Sequence, residues 1–129
     1  MRTTAVHALL LDDSRAMRMI LGRILREQGV QVSEGADGHE GLAALASGPL
    51  PDVALVDWNM PGMDGLAFVQ AVRAEPAYRG LTLVMVTTES EQSQVLRAIE
   101  AGADEYVFKP FTAEALLGKL SMLGLSVGV

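Results

Sequence analysis

The run DVALVD, residues 52–57, is apolar at four successive positions and then closes on a carboxylate. A strand with one wet face alternates apolar and polar residues. A strand apolar throughout is covered on both faces, as in a parallel sheet flanked by helices. Three more runs share this character: VHALLL (6–11), LTLVMVT (81–87) and EYVFK (105–109). A fifth, VQVSEG (30–35), is interrupted by Ser33 and Glu34 and reads as an edge strand.

Between these runs, apolar residues recur at steps of three and four. Met17, Ile20, Leu21, Ile24 and Leu25 are expected to face inward on a first helix, with Ser14 as its cap and Gly29 as its stop. Arg15, Arg18, Arg23 and Arg26 read as its solvated face. A second helix, 38–47, turns Leu42, Leu45 and Ala46 inward; a third, 65–75, turns in Phe68, Val69 and Val72 and is ended by Pro76. A fourth, 91–101, buries Val95, Ala98 and Ile99, and a fifth opens at Thr112 and buries Leu116, Leu117 and Leu120. Strand and helix thus alternate five times. The expected fold is α/β: a (βα)5 doubly wound parallel sheet of flavodoxin-like order 2-1-3-4-5 in three α/β/α layers.

The 129 residues fit one domain, 1–129, long enough to bury a core without staples. There is no cysteine, which excludes disulfides and thiolate metal sites and fits a reducing cytoplasm. The apolar start is stopped by Asp12 and Asp13, so neither a signal peptide nor membrane insertion is expected. A net charge of −6 argues against direct nucleic-acid binding. Any anion handled here must meet a local cation.

Sheets of this kind bind ligands beyond the carboxyl ends of their strands, where strand order reverses. The ends carry Asp12 and Asp13, then Asp57, then Thr87 and Thr88, then Lys109 and Pro110. Each alone is an ordinary strand-end residue or helix cap. Together, three crowded carboxylates repel unless a cation joins them or their pKa values rise. Mg²⁺ suits a few carboxylates and otherwise keeps its water. With a lysine and a hydroxyl facing the same spot, the set describes phosphoryl transfer to a carboxylate.

The strings LLLDDSRAMR, VALVDWNMPGMDG, LVMVTTES and AGADEYVFKPF resemble the receiver domain of bacterial response regulators, and DWNMP points to the single-domain chemotaxis (CheY-like) type. The resemblance implies that Asp57 is the phosphoacceptor. It implies that Asp13, Asp57 and the backbone carbonyl of Asn59 bind Mg²⁺, with Mn²⁺ able to substitute, and that Asp12 acts through water. Lys109 then pairs with phosphoryl oxygens or with unmodified Asp57, Thr87 bonds a phosphoryl oxygen, Tyr106 turns as a switch, and the bond before Pro110 is cis. Asn59 and Glu89 flank the path of the hydrolytic water, and Thr88 narrows access where many receivers carry Ala or Gly. Trp58 reads as a partly exposed neighbour, and His7 and His39 as incidental. The fourth helix begins Glu91, Gln92, Ser93, Gln94 where some chemotaxis members carry lysines, which speaks against a flagellar target. The tail LGLSVGV is apolar where the family often ends in charges.

The implied function is a phosphorylation-activated switch of a two-component system, not an enzyme beyond its own phosphorylation and dephosphorylation. Its partners are a histidine kinase or phosphotransfer protein and a target met at the face of the fourth helix, fifth strand and fifth helix. Rival readings are a receiver fragment of a longer regulator with a DNA-binding output, a binding module with a vestigial pocket, and a small phosphatase using an aspartyl phosphate. The phosphatases of that kind place a second Asp two residues after the nucleophile, where this chain has Asn59.

Overall fold

The structure is a computed structural model that describes residues 6–88 and 92–125. Its strands are β1 (His7–Leu11), β2 (Gln31–Gly35), β3 (Val53–Asp57), β4 (Thr82–Thr88) and β5 (Glu105–Lys109). Its helices are α1 (Arg15–Arg26), α2 (Gly38–Ser47), α3 (Gly65–Ala74), α4 (Gln92–Ala101) and α5 (Ala113–Met122), with a short 3₁₀ turn at Pro76–Tyr78. The strands form one parallel sheet in the order β2-β1-β3-β4-β5, as the alternating pattern leads one to expect.

Successive strand residues point to opposite faces, and both faces are covered. Leu9, Leu11, Ala54, Val56, Leu83 and Met85 join a layer with Leu45, Phe68, Val69, Val72 and Ala98, from α2, α3 and α4. Ala8, Leu10, Val53, Leu55, Val84 and Val86 join the opposite layer with Leu21, Leu25, Leu116 and Leu120, from α1 and α5. This is why residues 53–56 are apolar without a break. Leu123 and Leu125 of the apolar tail pack on the second layer, and residues 126–129 lie outside those described.

Among the described residues, four α-helices open on side-chain caps. Ser14, Asp37, Asp64 and Thr112 accept from the backbone N–H groups of Met17, Glu40, Ala67 and Ala115. Each such cap contributes about 1 kcal/mol. After α1 the chain turns through Gly29 at φ 78°, a conformation that favours glycine. At the far end of the sheet, Arg73 donates to the carbonyls of Gly102, Tyr78 and Leu81 and pairs with Asp104 at 2.9 Å. It thereby locks the end of α3 to the start of β4 and the turn before β5.

The helix faces differ from expectation in three places. Ile20 is 52% exposed, Ile99 is 40% exposed and Ala46 is exposed. On α1 the buried residues are Leu21, Gly22 and Leu25; on α2 they are Gly38, Gly41 and Leu45. A Cβ on Gly41 would stand 2.5 Å from Leu11 Cδ1 and 2.7 Å from Phe68 Cε1. α2 therefore approaches β1 and α3 through Gly41, and Ala46 is left on its flank. Leu42 and Leu117 are half-buried. The expected start of the fourth helix at Glu91 lies outside the described residues.

Candidate functional site

β1 and β3 are neighbours, and each ends in acid at the same rim. Asp12 follows β1, with its N–H bonded to the Gly35 carbonyl of β2 at 3.2 Å. Asp57 is the last residue of β3 and lies level with Val86 of β4. Carboxylate oxygens of Asp12, Asp13 and Asp57 all lie within 4.8 Å of one another. Asp12 and Asp57 are buried, at 2% and 7% exposure, whereas Asp13 is open to solvent.

Lys109 enters from the end of β5. Its Nζ stands 3.1 Å from Asp57 Oδ1 and 3.3 Å from Asp12 Oδ2. It therefore meets Asp12 as well as the expected Asp57. The other oxygen of Asp12, Oδ1, accepts from the Ser14 N–H at 2.9 Å. Both oxygens of Asp12 are thus engaged by protein groups.

Burial pushes the Asp57 carboxyl above the usual range, the neighbouring Asp12 and Asp13 push it the same way, and Lys109 opposes them. Burial pulls the Lys109 ammonium down, but Asp57 and Asp12 outweigh it and leave the lysine above its ordinary value. The site is an over-full carboxylate cluster held by one lysine. Its donors are all oxygen, one carboxylate faces solvent, and the net charge is negative, so the residues fit a hard divalent cation such as Mg²⁺.

Thr87 is 2% exposed near the end of β4, one residue past the partner of Asp57, and pairs in register with Phe108. Thr88 lies level with Lys109 and is half-buried. The Tyr106 ring lies 5.0 Å from that of Phe108, and Lys119 Nζ of α5 sits 4.4 Å over it. Asn59 is exposed on the loop after β3, and the Lys109–Pro110 bond is cis. Glu89 lies outside the described residues.

Two expectations are corrected. Trp58 is not partly exposed: it is 5% exposed and joins the core layer with Met60, Phe68 and Met85. Two residues beyond Val56, it points to the same buried face. Arg18 is not part of a solvated face. Its side chain is 17% exposed, donates to the Asp12 backbone carbonyl at 2.6 Å and pairs with Glu34 at 3.1 Å.

Residues 8–121 match the family model described as the response regulator receiver domain. The chain is 40% identical over 116 residues to the chemotaxis protein CheY of Pseudomonas aeruginosa, covering 89% of this chain and 93% of that protein. It is 40% identical over 122 residues to a CheY homologue of Campylobacter jejuni, covering 93% and 94%. The solved chemotaxis response regulator CheY4 of Vibrio cholerae superposes with a TM-score of 0.86 at 35% identity, covering 93% of this chain and 99% of that one.

Proposed function

The chain belongs to the response regulator receiver family, the phospho-accepting switch of two-component signalling and not a conventional enzyme, and we propose that Asp57 is its phosphoacceptor. The observation that carries this is the position of Asp57: buried at the rim, against Asp12 and Asp13, with Lys109 Nζ 3.1 Å away. An Asp57 carboxylate oxygen attacks the phosphorus of a phosphohistidine, the P–N bond breaks, and the leaving imidazole recovers its proton. Mg²⁺, or Mn²⁺ in its place, held by Asp13, Asp57 and the Asn59 carbonyl with Asp12 reached through water, would neutralise charge on the transferring group. The engaged oxygens of Asp12 support its indirect part. Lys109 follows the charge from the free carboxylate to the phosphoryl oxygens, and the Thr87 hydroxyl donates to one of them. Acetyl phosphate with Mg²⁺ should add one phosphoryl group per chain and Lys109→Met should slow this strongly; a chain left unlabelled would refute the assignment.

The partners in this reading are a histidine kinase or phosphotransfer protein and a downstream protein target at the α4, β5 and α5 face, met in the cytoplasm. Residues 1–129 form one receiver domain, a reading supported by two core layers that share a single sheet.

The readout face is α4, β5 and α5. Thr87 adjoins Phe108, Phe108 adjoins Tyr106, and Lys119 joins Tyr106 and Glu105 to α5. A phosphoryl group bonded to Thr87 favours one of two states, and Tyr106 carries the difference outward. Hydrogen exchange in α4 and β5 should change on beryllofluoride binding; changes confined to α1 and α2 would move the output elsewhere.

The aspartyl phosphate is short-lived in this reading. Asn59 and Glu89 hold the attacking water in line, and placement is a large part of the barrier. Thr88 acts only through access. Asn59→Met should slow phosphate loss several-fold, more than Thr88→Ala changes it; the reverse order would make access the control.

A further inference from the structure

We infer that Arg18 is a positioning residue for the metal-binding carboxylates: it anchors the peptide between Asp12 and Asp13, and Glu34 offsets part of its charge. The inference rests on the reading of this cluster as a divalent-cation site.

α1 places Arg15 and Arg18 at its N-terminal end and has no acid in its first turn. That end of a helix carries a partial positive charge, so cations there are locally unfavourable. A residue that breaks a local rule needs a compensating role. Arg18 bonds the Asp12 carbonyl at 2.6 Å and the Glu34 carboxylate at 3.1 Å. Glu34 also receives Arg26 at 3.4 Å.

The Asp12 carbonyl and the Asp13 N–H belong to one planar peptide unit. The guanidinium therefore fixes the orientation of the unit from which Asp13 departs. Asp12 is then held at four points: its N–H by Gly35, its carbonyl by Arg18, Oδ1 by Ser14 and Oδ2 by Lys109. Asp13 is exposed and depends on this backbone for its place. A bare arginine so close would repel an incoming cation. Paired with Glu34, it keeps the hydrogen bond while part of its charge is offset.

Charge and position predict opposite signs. Arg18→Met removes one positive charge near the carboxylates and leaves Glu34 to Arg26 alone, so a purely electrostatic role predicts tighter Mg²⁺ binding in that variant. A positioning role predicts weaker binding, by about tenfold or more, as for other groups that orient metal ligands. The experiment is calorimetric titration of Mg²⁺ into the wild type, Arg18→Met and Arg18→Lys, with a thermal melt of each. Weaker binding in folded Arg18→Met, partly restored by Arg18→Lys, is the expected result. Unchanged or tighter binding would overturn it. If Arg18→Met does not fold, Arg18→Lys decides, because its single ammonium lacks the fork that reaches Asp12 and Glu34 together. Wild-type affinity in Arg18→Lys then overturns the inference, and a several-fold loss supports it. Failure of the wild type itself to bind Mg²⁺ would overturn the cation site and this inference with it, whereas a wild type that binds beside an indifferent Arg18→Met leaves the site standing.

Discussion

Asp57→Asn should take up no phosphoryl group from acetyl phosphate, and in the absence of metal it should melt at a higher temperature than the wild type at neutral pH. The first effect is all or nothing, because the amide lacks the nucleophilic oxygen. The second follows from the raised carboxyl. Burial, with Asp12 and Asp13 beside it, disfavours the charged form of Asp57 more than Lys109 favours it. Below the ordinary value of 3.8 both the folded and unfolded chains hold this proton, and the group has no effect on stability. As pH rises from there towards the folded value, the unfolded chain releases the proton while the folded chain keeps it. Stability falls across that window, and the penalty is fully present above it. Asparagine never incurs it. Lys109 loses one of its two carboxylate partners in the variant, but Asp12 remains at 3.3 Å. Mg²⁺ should reverse the order by stabilising the wild type far more than the variant. Melting curves at pH 4 and pH 7, with and without Mg²⁺, check this. A variant less stable than metal-free wild type at pH 7 would mean that the lysine pair outweighs the repulsion.

Gly65→Ala should cost about 1–3 kcal/mol, the range for forcing an extra methyl into a packed site. A Cβ there would stand 2.5 Å from the Asp57 carbonyl oxygen, 2.9 Å from Met85 Cε and 3.0 Å from Trp58 Cα. Two of those atoms are backbone and cannot swing aside. Gly65 N–H also bonds the Trp58 carbonyl at 3.0 Å, so α3 starts close against the end of β3. Relief must displace Asp57, and phosphorylation should slow along with the loss of stability. Gly118→Ala is the contrast. It lies within α5, exposed, with nothing within 4 Å of its Cβ position. Alanine there should add about 0.5–1 kcal/mol through helix propensity. Denaturant unfolding of both variants measures the difference. Equal effects of the two substitutions would show that the contact under Asp57 carries no strain.

The sequence by itself determined the sheet and the address of its site. Unbroken apolar runs at 53–56 and 83–86 require cover on both faces, and that requirement alone selects a parallel sheet between helices. Strand order then brings Asp12, Asp57 and Lys109 to one rim, although Asp12 and Lys109 are 97 residues apart. Only the tertiary structure decided how wide each buried helical stripe is. Periodicity marks a direction around the helix. The packing partner decides whether Gly41 or Ala46 makes contact, and whether Ile20 and Ile99 are covered. Trp58 was misread because its position two residues past Val56 continues the strand alternation beyond the strand's end. Arg18 was hidden for a different reason. Its role depends on the reach of a long side chain to a carbonyl on one element and a carboxylate on another, and neither distance is a property of local sequence. Burial patterns are set by solvent and recur along a chain, so they can be read from it. A hydrogen bond between non-neighbouring elements depends on a few tenths of an ångström, which only the packed fold supplies.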